Sequence, residues 1–177
     1  MAKRMKRKSR AAQKSKPRRA RTVKPIPDGY HTIMPYLTVQ GAEAAIHFYK
    51  KAFGAVERYR LAGADGKVMH AELKIFDTIV MLTDENPEMG RRSPRALTGT
   101  PVGLFVYARD VDAAVRRAVS AGATLKMGVQ DMFWGDRFGS IEDPFGHDWQ
   151  IATHKEDLTP REIQRRWQAQ PAAAPGS

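Results

Sequence analysis

Residues 133–149 read Phe-Trp-Gly-Asp-Arg-Phe-Gly-Ser-Ile-Glu-Asp-Pro-Phe-Gly-His-Asp-Trp. Two of the three Trp and three of the seven Phe fall here, so a packed or ligand-facing aromatic surface is expected. Asp143-Pro144-Phe145-Gly146 is a reverse-turn sequence. Asp suits the first position, Pro presets φ at the second, and Gly closes the turn. Residues 137–141 and 148–152 flank it as short strands, which makes the segment a hairpin. The loop ahead of it displays Trp134, Asp136 and Arg137.

Upstream of the hairpin, one order of elements occurs twice. Residues 102–108 read as a strand, 110–121 as a helix and 124–129 as a strand. Asp110 is the N-cap, and Val111, Ala114, Val115, Ala118 and Val119 form the apolar face, with Gly122 past the end. With the hairpin this is a βαβββ unit. Earlier still, residues 30–39 read as a strand interrupted by Pro35, which cannot donate to a ladder. Residues 41–53 follow as a helix with Ala42, Ala45, Ile46, Tyr49 and Phe53 on one face, ended by Gly54. Strands at 55–61, 68–75 and 79–83 complete a second such unit, the first two joined by a turn at Asp65-Gly66. A shift of 68 positions lays Gly54-Ala55 on Gly122-Ala123 and Leu37-Thr38-Val39 on Phe105-Val106-Tyr107.

The expected class is therefore α+β: two βαβββ modules, about 30–83 and 102–154, forming a cupped mixed sheet. Its concave face is the natural ligand site. Residues 84–101 join the modules as an 18-residue, largely polar loop with three Pro, a linker, a lid or both. Downstream, Thr159-Pro160-Arg161-Glu162 is a capping box that opens a short helix over 159–170, with Ile163 and Trp167 one turn apart. Residues 171–177 read as a disordered end.

Charge divides the chain. The formal net charge is +11, but residues 1–24 hold six Lys and six Arg and no acid. The remainder carries 18 basic and 19 acidic residues, a net charge of −1. Residues 1–28 therefore read as a disordered basic tail, able to meet nucleic acid electrostatically through residues 1–24 but without aromatics for base stacking. No Cys is present, which excludes disulfides and thiolate chemistry and fits a cytoplasmic location. No apolar run reaches the roughly 18 residues a membrane helix needs.

The duplicated unit and its motifs resemble the vicinal oxygen chelate superfamily of glyoxalase I, bleomycin- and fosfomycin-resistance proteins and extradiol dioxygenases. The closer likeness is to its PhnB-like branch. It is carried by Pro35-Tyr36-Leu37, Phe48-Tyr49, Phe53-Gly54-Ala55, Met69-His70-Ala71-Glu72-Leu73, Asp110-Val111-Asp112, Ala121-Gly122-Ala123, Phe133-Trp134-Gly135-Asp136-Arg137, Asp143-Pro144-Phe145-Gly146-His147 and residues 153–159. It spans about 29–167, with the domain itself at 29–158. The resemblance implies a homodimer that shares its cups, and a divalent metal held by His and Glu from the first and last strands of each half. Those positions fall on Met34 and Gly103, and on Met81 and Gln150. A thioether, an absent side chain and a neutral amide are poor ligands for a hard metal. No metal or other cofactor is expected at the usual place; a divalent metal elsewhere stays open.

Other residues are left to carry function. His70 and Glu72 lie two apart on a strand and share a face, as an acid–base pair or a solvent-facing one. Arg137 beside Trp134 can bind an anion while stacking on an aromatic ligand, or can pair with Asp136 to pin the loop. Gln150 and Met34 line the expected cup. His147 reads as capping the turn, while His31, His47 and His154 read as structural or solvated. The expected function is binding of a small aromatic or anionic molecule without the usual metal. The alternatives are a lyase or dioxygenase using His70 and Glu72 or a displaced metal, and nucleic-acid association through the tail.

Overall fold

The computed structural model describes residues 23–171. Residues 1–22 and 172–177 lie outside it, and so does most of the basic segment on which the nucleic-acid expectation rests. The first module comprises β1 (Tyr36–Val39), α1 (Ala42–Phe53), β2 (Val56–Ala62), β3 (Val68–Ile75) and β4 (Thr78–Asp84). The second comprises β5 (Gly103–Tyr107), α2 (Val111–Ser120), β6 (Thr124–Asp131), β7 (Asp136–Glu142) and β8 (Asp148–His154), and α3 (Pro160–Gln168) follows. The strands make two four-stranded mixed sheets, ordered β1-β4-β3-β2 and β5-β8-β7-β6. In each, the first strand runs parallel to the last and the hairpins are antiparallel.

The helix-facing sides share one core. Its contributors alternate along the strands: Leu37 and Val39, Ala71 and Leu73, Trp149 and Ile151. α1 packs on α2 and reaches into the second module, where the Phe53 and Tyr49 rings lie 4.6 and 5.5 Å from that of Trp149. Burying each such ring contributes roughly 1.5–3 kcal/mol. Asp143 fastens this joint. Its Oδ2 accepts from Tyr49 Oη at 2.7 Å and from Trp149 Nε1 at 2.9 Å, and its Oδ1 from the backbone N–H groups of Phe145 and His147 at 2.9 Å each. The Asp-Pro-Phe-Gly turn thus joins the halves as well as closing a hairpin. His147 is buried beside it, its Nε2 3.2 Å from the Thr38 carbonyl.

Three expectations need correction. The first strand begins at Tyr36 rather than residue 30. Pro35 donates nothing, but its carbonyl accepts from Met81 N and opens the ladder, and the lead-in turns so that Tyr30 reaches β3. Val119 is 40% exposed and does not share the buried face of α2. The 68-residue shift misaligns the first strands by one. Leu37 is buried against the helices while Phe105 lies on the open side, because side chains alternate along a strand and a slip of one reverses every face. The pairs that match are Tyr36 with Met81 and Phe105 with Gln150, a shift of 69.

The connection at 84–101 is docked. Ser93 is fully buried, its N–H donates to Glu85 Oε1 at 2.6 Å, and Arg95 Nε donates to the Pro144 carbonyl at 3.3 Å. Gly146, at φ 89°, lets Pro94 lie against the hairpin turn, where a Cβ would come within 3.0 Å of it. The Thr159–Glu162 capping box is formed, while α3 buries no residue.

Candidate functional site: two open sheet faces

Each sheet turns one face to the helices and leaves the other open. On β3, Ala71, Leu73 and Ile75 point into the core, so His70 and Glu72 lie on the open side as their spacing requires. Glu72 is only 2% exposed. Its carboxylate accepts from Tyr30 Oη at 2.5 Å and from Tyr59 Oη at 3.0 Å, with Arg58 Nη1 at 3.5 Å. Burial alone would raise the Glu72 pKa. Hydrogen bonds from Tyr30 and Tyr59, with the nearby His70 and Arg58 adding to them, outweigh it and hold the carboxyl below the usual range. Both tyrosines are in turn held above the ordinary phenol value, first by the hydrogen bond to Glu72, and stay as neutral donors.

His70 Nε2 lies 3.6 Å from Glu72 Oε1, an ion-pair distance rather than a hydrogen bond. Its Nδ1 lies 3.1 Å from Tyr36 Oη, to which Arg91 Nη1 donates at 3.2 Å. Arg91, Tyr36, His70 and Glu72 thus form a polar chain across the first sheet, able to orient an imidazole.

The open face of the second sheet is built differently. Asp136 opens β7 and is 4% exposed. Its Oδ2 accepts from Tyr107 Oη at 3.0 Å and from Trp134 Nε1 at 3.1 Å, and its Oδ1 lies 2.7 Å from His154 Nδ1. His154 Nε2 lies 3.1 Å from Asp157 Oδ1. The bond to Asp136, then that to Asp157, raises the His154 pKa above its ordinary value. Burial, then the bond to Asp136, raises that of Tyr107. Around this anchor spreads an aromatic surface. Phe105 stacks on Phe138 at 6.0 Å, Phe138 meets Trp134 edge-on at 5.6 Å, and Phe133 bridges Trp134 and Trp167 at 4.9 and 5.1 Å. Phe105 and Tyr107 remain 47% and 60% exposed.

The structure does not bring Arg137 to this surface. Arg137 alternates with Asp136 and points to the helix side, where Nε and Nη2 donate to Asp112 of α2 at 2.7 and 2.8 Å and Nη1 to Asp131 at 3.2 Å. It pins β7 and β6 to α2. The expected Asp136–Arg137 pair is replaced by these two. Gln150 does lie on the open face: a Cβ at Gly103 would come within 3.0 Å of its Nε2. Met34 lies apart, in a cleft of about 450 Å³ between β1 and the connection, beside Leu37, Pro94, Leu97 and Val102.

The donor set Met34, Met81, Gly103 and Gln150 does not fit the divalent metal that the resemblance implies. Among the described residues no group of three His, Cys, Asp or Glu side chains could hold a metal. Sequence reading named Asp136 of β7 but missed the cluster it forms with Tyr107 of β5 and His154 of β8. Its one available signal was Trp-x-Asp, an indole N–H two residues from a carboxylate.

The family model described as Glyoxalase/Bleomycin resistance protein/Dioxygenase superfamily matches residues 29–151. The chain is 45% identical over 141 residues to the uncharacterized protein Rv0887c of Mycobacterium tuberculosis, covering 78% of this chain and 83% of that one. It resembles the X-ray structure of the Arabidopsis thaliana At5g48480 product at 28% identity and a TM-score of 0.57, over 70% of this chain and 98% of that one. At 20% identity and a TM-score of 0.55 it shares the fold of the PhnB protein of Bacillus cereus, over 70% and 99%. No described helix is long and apolar enough to cross a membrane.

Proposed function

Because the chain belongs to the glyoxalase/bleomycin resistance protein/dioxygenase superfamily, we propose that it is a cytoplasmic, PhnB-like member that binds a small molecule on the open face of its second sheet. The observation that carries this reading is the aromatic surface of Phe105, Tyr107 and Trp134 beside Gln150, where the metal-ligand positions hold no suitable donor. Exposed aromatics grouped around satisfied polar anchors are the usual make-up of a ligand site. We assign a homodimer to the protein as well. β1 and β5 each pair on one side only, and a second copy is expected to cover their free edges and complete the cups.

Native mass spectrometry with metal analysis tests both parts. The expected result is a dimer that carries or takes up a small organic ligand, with far less than one metal per chain. Stoichiometric Ni, Zn, Fe or Mn overturns the metal-free reading, and a monomer overturns the shared cup.

A second reading rests on Glu72, whose buried carboxylate lies 3.6 Å from His70. It gives His70 acid–base work with Glu72 as its positioning residue. Turnover in lyase or dioxygenase assays that falls roughly a hundred-fold or more in His70→Gln supports it. No turnover by the native protein removes it.

A further inference from the structure

The ligand class can be narrowed, on the reading that the second sheet's open face is the binding site. Two properties of that face decide it. The first is where the cations are. Arg137, the guanidinium nearest in sequence, is turned to α2 and neutralised by Asp112 and Asp131. His154 is held between Asp136 and Asp157. Neither of these two is left to meet an anion. Arg95 and Lys126 are taken up by Glu142, opposite Asp148 on β7, and the exposed Arg109 lies past the end of β5, far from Asp148.

The second property is what the face leaves unsatisfied. Asp148 and Gln150 alternate on β8 with the buried Trp149 and Ile151, so both belong to the open side. Asp148 is half-buried and pairs with no Lys, Arg or His among the described residues. It lies between Gly103 on β5, which has no side chain, and Glu142 on β7, with Phe105 opposite Gln150 as the next pair along. Aromatic faces attract a cation through their quadrupoles, and a carboxylate beside them adds direct charge complementarity.

We propose that this face binds a planar organic cation, its ring against Phe105, Tyr107 and Trp134 and its positive nitrogen toward Asp148 and the Gln150 amide oxygen. The aromatic half of the expected ligand is kept and the anionic half is replaced.

The test is titration of the full-length chain at physiological salt with two flat probes, cationic proflavine and anionic 2-naphthalenesulfonate, followed by calorimetry. The chain's formal charge of +11 favours the anion non-specifically, so a preference for the cation cannot come from bulk charge. Proflavine is expected to bind at least about ten-fold more tightly. Asp148→Asn should weaken it about ten-fold, Asp148→Glu should recover most of the loss, and Phe105→Ala should weaken it by a similar factor. Unchanged melting temperatures establish that the variants are folded.

Tighter binding of the sulfonate, still lost in Phe105→Ala, overturns the cationic class and leaves the small-molecule site standing. Proflavine binding that ignores Asp148→Asn likewise overturns the assignment to Asp148. If neither probe binds, or binding ignores both Phe105→Ala and Trp134→Ala, the site itself falls and the class with it.

Discussion

The two open sheet faces solve one problem in different ways. Each is organised by a nearly buried carboxylate that gathers aromatic donors and a histidine: Glu72 with Tyr30, Tyr59 and His70, and Asp136 with Tyr107, Trp134 and His154. Glu72 sits within β3, and its donors fold over it into a polar cluster that includes Arg58. Asp136 sits at the start of β7, and its donors stand at the border of a stacked aromatic surface. The histidines differ as well. His154 has both nitrogens within hydrogen-bond distance of carboxylates, whereas His70 meets Tyr36 at hydrogen-bond distance and Glu72 only at ion-pair distance. A duplicated fold thus yields one face suited to orienting a base and one suited to holding a ring.

A third buried carboxylate sets the scale for this comparison. Asp143 belongs to neither face and holds the modules together through Tyr49 and Trp149. Asp143→Ala leaves a buried hydroxyl and a buried indole N–H unsatisfied, and should cost roughly 3–5 kcal/mol. That corresponds to a fall in melting temperature of roughly 10 °C or more for a chain of this size. A smaller loss than either face carboxylate produces would mean that the joint relaxes and that the faces, not the core, hold the modules in register.

The faces should then separate from each other. Glu72→Gln keeps the shape of the polar cluster but removes its charge, and should cost roughly 1–2 kcal/mol at pH 7. Because the folded Glu72 pKa is depressed, its contribution is present above the unfolded value near 4.5 and is lost as pH falls through the folded value. Glu72→Gln should therefore flatten the acid limb of stability below about pH 4.5, measured by urea unfolding at several pH values. An unchanged acid limb would show that the tyrosine hydrogen bonds do not depend on ionisation.

Much of this was legible in the sequence, and the failures have physical causes. Helix faces apart from Val119, glycine ends, both hairpin turns and the capping box depend on local spacing, and the structure carries them. Pairing across the duplication was less secure. Leu37 and Phe105 look interchangeable by composition, yet one is core and the other open surface, because strand parity is set by hydrogen-bond register. Arg137 was misplaced for a related reason. Its neighbour in sequence is Asp136, but adjacent strand residues face opposite ways, and its partners come from α2 and β6. Asp136 carries one local signal, the Trp-x-Asp spacing, but Tyr107 and His154 carry none because they lie on two other strands.

Arg137 offers a milder contrast between the two sides of the second sheet. Its bidentate pair with Asp112 is about one-third exposed on each partner, so Arg137→Gln should cost no more than about 1 kcal/mol. It should leave proflavine affinity on the opposite side unchanged within about two-fold. A ten-fold loss of binding would mean that the guanidinium acts through β7 on the open face, and the division between the two sides would fail.

The smallest effect concerns the clamp that fixes the second face to the segment leading into α3. His154 is bound by Asp136 on one side and Asp157 on the other, while Lys155 and Glu156 donate their N–H groups to the Gly135 carbonyl. The folded His154 pKa is raised, so its contribution is complete below the unfolded value near 6.5 and is lost as pH rises through the folded value. NMR titration of the imidazole should give a midpoint above 6.5, lowered more by Asp136→Asn than by Asp157→Asn. Asp136 is buried and lies at 2.7 Å, whereas Asp157 is fully exposed and lies at 3.1 Å. Equal shifts in the two variants would mean that burial of Asp136 adds nothing to the pair. A midpoint at or below 6.5 would mean that His154 is neutral where it matters, leaving Asp136 an uncompensated carboxylate beside the aromatic surface and strengthening its pull on a cationic ligand.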